Sequence, residues 1–202
     1  MGRNSGGVRS NASGKQGSGV KGKTEEGYTK RMLQNIVGIE QTYRTKPDET
    51  LHIFSPTGSL LHSMGGKGAG VKNDGWKVPE NTILTHNHPR AIGKKGLQSI
   101  GNSFSFEDIN TAVGTNAREM RAVTPRYTFS VKRPKGGWGA TPDQVRLAWN
   151  SAHKATQSQF WAYINKHGGS QTAIDRASAL HYHRVMSIVA KKFGWNYTKK
   201  KG

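Results

Sequence analysis

The first 24 residues contain no Leu, Ile, Phe, Trp or Tyr. They hold seven Gly, four Ser and five Lys or Arg, and no acidic residue. Such a stretch has too little apolar surface to offset the entropy of ordering it, so it reads as a disordered basic arm over 1–24. The packed core must therefore come from residues 25–202. Apolar residues make up only 33% of the chain, which suits one domain with appendages better than two domains.

Several classes are excluded at once. With no cysteine, the chain is not a disulfide scaffold, a Cys-ligated zinc finger, an iron–sulfur protein or a thiol enzyme. No apolar run is long enough to span a membrane, and no secretory leader pattern is present. The net charge is +19, and it divides unevenly. Residues 1–24 carry +5, residues 190–202 another +5, and residues 25–189 the remaining +9. Two basic ends flank a modestly basic middle, and they suit an anionic partner such as DNA or RNA.

Beyond the arm, apolar spacing predicts a helix over 25–44, stopped by Pro47. Leu51–Phe54 and Ser59–His62 read as a hairpin around Pro56-Thr57-Gly58. Asn81–Thr85 is a short β-favouring run leading into His86-Asn87-His88-Pro89. Ser105 is a helix cap, with strands expected near 120–124 and 126–132. Thr141-Pro142-Asp143 starts a helix with an aromatic-rich face, in which Trp149, Phe160, Trp161 and Tyr163 read as core rather than as a base-stacking platform. A last helix covers about 171–192. The fold class is α+β, organised as a basic arm (1–24), a metal-site domain (25–135) and a C-terminal helical extension with a basic tail (136–202).

The chemistry concentrates at His86-Asn87-His88-Pro89. Side chains at i and i+2 of a strand share a face, so His86 and His88 can share one metal ion. His181-Tyr182-His183 sits in a predicted helix, where i and i+2 diverge, so it reads as non-ligating. A catalytic zinc site needs a third ligand and an open position, and Asp108, in the first turn after the Ser105 cap, supplies the carboxylate. Zn2+ would then lower the pKa of a bound water toward ~7. A general base is also needed, and few carboxylates are placed for it. Glu49, just ahead of the Leu51–Phe54 strand, is first, and Glu40 is second.

An upstream Glu, a strand ending in His-x-His-Pro and a later Ser-x-x-Asp at a helix start resemble the JAMM zinc metalloprotease superfamily. His86-Asn87-His88-Pro89 with Ser103-Phe104-Ser105-Phe106-Glu107-Asp108-Ile109 is most similar to RadC-like proteins and to the JAB-like domains of phage head-morphogenesis proteins and polymorphic toxins. The resemblance covers roughly residues 47–132. It implies a curved mixed sheet flanked by helices (JAMM/cytidine-deaminase-like), and zinc on His86, His88 and Asp108. It implies Glu49 as the base, Ser105 as the group that steadies the oxyanion, and a peptide or protein substrate cleaved at an amide or isopeptide bond. It also implies a phage or mobile-element setting, with the protein in the cytoplasm or the virion. The loop between His88 and Ser105 is longer than is usual in the family and reads as an insertion at the site rim.

Two other classes compete. In one, the protein associates with nucleic acid and the JAMM-like domain is structural. In the other, it is a zinc nuclease. HNH nucleases, however, spread their motif residues along a ββα unit, whereas His86-Asn87-His88 is contiguous. A metal-dependent TIM barrel needs more chain than this one has.

Overall fold

The computed structural model describes residues 23–24, 28–68, 70–72, 74–89 and 101–202. The arm expected over 1–24 lies outside the described residues except at its end. There Lys23–Thr24 (β1) pairs antiparallel with Tyr28–Thr29 (β2). Most of the long basic loop after His88, residues 90–100, also lies outside them.

Helix α1 spans Lys30–Tyr43, starting later than the apolar spacing predicts. The start is set by Thr29, whose side chain accepts the Met32 N–H at 3.2 Å and satisfies one of the orphan donors of the first turn. Strands β3 (Thr50–Phe54) and β4 (Leu60–Gly65) form the expected hairpin. Gly58 in its turn has φ +85°, and a Cβ there would meet Met32 Cγ at 2.5 Å. The turn therefore needs glycine for its backbone and for the close approach of α1.

The remaining elements are β5 (Ile83–Asn87), α2 (Phe106–Gly114), β6 (Glu119–Val123), β7 (Tyr127–Lys132), α3 (Pro142–Lys166), α4 (Gln171–Phe193) and β8 (Asn196–Lys201). Six strands form one mixed sheet in the order β4-β3-β5-β6-β7-β8, in which only β5 and β6 run parallel. The molecule is thus α+β, a mixed sheet flanked by helices.

Alternation along the strands assigns the two faces. Ile83 and Phe54 pack with Tyr28, Met32 and Ile36 beneath α1. Leu84, Ile53, Met120, Ala122, Phe129 and Val131 face the other way and share the main core with Ile109 of α2, Val145 and Trp149 of α3, and Val185 and Val189 of α4. The two C-terminal helices therefore pack on the same core as the sheet. The stretch read as a basic tail is a strand instead: β8 pairs antiparallel with β7 from Asn196↔Lys132 to Lys201↔Tyr127. Trp195 anchors its start, with the indole N–H donating to the Trp138 carbonyl at 2.7 Å. Of the four aromatic residues read as core, Trp149 is buried but Trp161 is exposed. Among the described residues, no helix is long and apolar enough to cross a membrane.

Candidate metal centre

Strand β5 lies inside the sheet, antiparallel to β3 and parallel to β6, and all five of its residues are buried. It runs further than its sequence signal, through His86 and Asn87. His88 follows directly, and its backbone N–H donates to the Val123 carbonyl at 3.1 Å. The ladder direction thus continues past the strand, and His86 and His88 project together on the face of α2–α4.

Asp108 arrives from α2. Ser105 caps that helix in a capping box: its Oγ accepts the Asp108 N–H at 3.2 Å, and the Asp108 carboxylate accepts the Ser105 N–H at 2.7 Å. Such a box fixes the first turn of a helix, and here it also fixes the carboxylate. Ser105 Oγ donates to Asp108 Oδ2 at 2.9 Å. Asp108 Oδ1 lies 3.2 Å from His86 Nε2, and Oδ2 lies 3.8 Å from His88 Nε2.

The two Nε2 atoms are 2.8 Å apart. His88 Nδ1 lies 2.9 Å from the Asn102 carbonyl, which can only accept. Its ring proton therefore sits on Nδ1, and its Nε2 offers a lone pair to the site. The His86 ring has a hydrogen bond to the Arg121 backbone, which also orients it. Such outer contacts are what hold imidazoles as metal ligands. Either a proton on His86 Nε2 or a cation between the rings relieves the repulsion of two lone pairs facing each other beside a carboxylate. One ligand atom from each of His86, His88 and Asp108 falls within 4.8 Å of the others, so this trio can hold a metal ion. Tetrahedral zinc with bonds of ~2.1 Å separates its ligand atoms by about 3.4 Å. The three distances bracket that value, so small side-chain shifts suffice. Among the described residues, this is the one group of three or more such side chains.

The electrostatics agree. Burial works against a charge on His86, yet the adjoining Asp108 carboxylate outweighs it and raises the ring's pKa above its usual value. Burial likewise opposes ionisation of Asp108, but the two histidines hold its carboxyl well below the ordinary range. The site is built to hold positive charge.

The trio lies in a cleft of about 690 Å³, which Glu49, Ser105, Glu107, Asp175 and Tyr182 also line. Glu49 lines the same cleft, immediately before β3. Its N–H donates to the Gly68 carbonyl at 2.8 Å, and its own carbonyl accepts the Gly66 N–H at 3.0 Å. Its charge reaches His86, whose pKa it helps raise. Glu40, the other carboxylate weighed as base, lies on the α1 face, bound to Arg121 and to the Thr85 hydroxyl. Thr85 and His86 are adjacent on one strand and point to opposite sides, so the sheet separates Glu40 from His86, His88 and Asp108.

The helical His-x-His behaves as its spacing requires. His181 Nε2 meets His153 Nδ1 at 2.9 Å and its Nδ1 meets Thr156 Oγ1, whereas His183 turns to the Tyr197 hydroxyl at 2.8 Å.

One residue had no role in the sequence reading. Asn87, between the two histidines and fully buried, points to the opposite face. It accepts the Thr50 N–H at 2.9 Å and donates to the carbonyls of Asp48 at 3.1 Å and Lys46 at 3.3 Å. Its sequence signal is slight: an amide at the end of a short β-favouring run, where burial demands partners.

Comparison with protein-family models, curated proteins and solved structures finds no match to this chain.

Proposed function

We propose that the protein is a zinc-dependent hydrolase of peptide or isopeptide bonds on the JAMM plan. The observation that carries this reading is the convergence of two Nε2 atoms and a carboxylate at the wall of an open cleft. The donor set, two imidazoles and one carboxylate, is that of catalytic zinc sites that keep a position for solvent. Bound zinc supplies a water of lowered pKa and polarises the scissile carbonyl.

The chain's own groups do the rest. His86, His88 and Asp108 hold the metal. Glu49, which lines the same cleft, takes the proton of the attacking water and passes it to the leaving amine. Ser105 lines the same cleft. It donates to the tetrahedral oxyanion once its hydroxyl turns from Asp108 Oδ2. The JAMM assignment and the phage or mobile-element setting draw their support from the sequence motif. Glu49→Gln tests the reading: metal content stays, and hydrolysis of a linked-peptide substrate is lost. Retained hydrolysis rejects Glu49 as base.

The +19 charge favours a second reading, a nucleic-acid-associated protein in which this domain is accessory. None of the described cleft-lining residues is Lys or Arg. The basic ends, including the Lys199, Lys200 and Lys201 of β8, are the surfaces this reading assigns to the nucleic acid.

A further inference from the structure

We infer that Asn87 is the positioning residue for Glu49. This rests on the reading of Glu49 as the base. One five-residue strand would then set both halves of the site. His86 sends its imidazole into the cleft and His88 follows on the same side, while Asn87 grips the segment that delivers Glu49 to the start of β3.

The geometry is specific. The three backbone groups that Asn87 engages belong to Lys46, Asp48 and Thr50, so its bonds bracket Glu49 on both sides. One amide satisfies two carbonyls and one N–H, which a side chain with only acceptors or only donors cannot do. The segment 46–50 links α1 to β3 and has no regular structure before Thr50. Its other ties include Glu49's two backbone bonds to Gly66 and Gly68, Lys46 N–H donating to the Tyr43 carbonyl at 2.9 Å, and Gly68 N–H donating to Asp48 Oδ1 at 2.9 Å. Asn87 ties it to the strand that carries His86. A general base acts only within hydrogen-bond reach of its proton, so this link fixes Glu49 relative to the metal.

The test uses the full chain loaded with zinc, in two variants. Asn87→Leu removes all three bonds. Asn87→Ser also gives them up but leaves room for water to satisfy the exposed groups, and it serves if the first fails to fold. Two readouts are compared. In crystal structures of the metal-loaded variants, His86, His88 and Asp108 keep the ion while Glu49 leaves its wild-type place in the cleft lining. In hydrolysis, either variant loses on the order of 100-fold in kcat, the scale of an ångström's misplacement.

Glu49 unmoved in the variant structures, or zinc lost from His86, His88 and Asp108 along with activity, overturns the inference. If the wild type hydrolyses no amide, the proposed function fails, and the structures still decide whether Asn87 places Glu49.

Discussion

Glu40 and Arg121 form a two-pronged ion pair under α1, with Nε to Oε1 at 2.6 Å and Nη2 to Oε2 at 3.0 Å. The same guanidinium reaches Glu119 at 2.9 Å. Both carboxylates are buried to about 1% exposure, so neither charge can fall back on water. Removing Glu40 leaves the buried guanidinium with Glu119 alone, at a cost of up to about 3–5 kcal/mol. Glu40→Ala should lower unfolding free energy by that order while the variant still binds zinc. Loss of zinc without loss of stability would place Glu40 in the site after all.

Glu119 gives this cluster a pH dependence. Burial alone would raise its pKa, but Arg121, with the Ser130 and Tyr28 hydroxyls, lowers it below the ordinary 4.5. A depressed carboxyl stabilises the fold fully above its unfolded pKa and loses that contribution as pH falls through the folded one. Stability should therefore hold down to about pH 4.5 and decline below it. Glu119→Gln should be less stable at neutral pH and show a flatter acid limb in urea unfolding. An unchanged acid limb would show that Glu119 does not carry the effect.

Ser105 has two expected roles that a single variant separates. Its hydroxyl caps α2 and bonds the Asp108 carboxylate. Ser105→Ala should cost about 1 kcal/mol as a lost cap. It should also weaken zinc binding by roughly 10–100-fold, as other outer-shell losses do. Zinc affinity equal to wild type would leave the oxyanion as the hydroxyl's remaining role.

Binding to an anionic partner should fall steeply with salt, because counterions are released. It should also survive His86→Ala/His88→Ala, since the described cleft lining has no basic side chain. Binding that follows the metal ligands instead would put the nucleic acid in the cleft.

The parts of this fold that rest on local spacing were legible in the sequence. The i, i+2 histidines share a face because they stand on and just beyond a strand, and the cap at Ser105 places Asp108 in a first turn, whatever the rest of the chain does. Long-range contacts left no such signal. Asn-Tyr-Thr-Lys-Lys-Lys reads as a tail because it is polar, yet it becomes β8 by pairing with β7 and by the anchoring of Trp195. Glu40 and Glu49 both precede the hairpin in sequence, and only the strand alternation at Thr85 and His86 puts them on opposite sides of the sheet. Asn87 acts on residues 37 to 41 positions away, and no local pattern records that.

Whether His86, His88 and Asp108 hold one zinc ion is read from metal analysis of the purified wild type and of His86→Ala/His88→Ala. Zinc near one equivalent is expected in the wild type and none above background in the double variant. Equal zinc in the two proteins would remove these residues as the metal's holders.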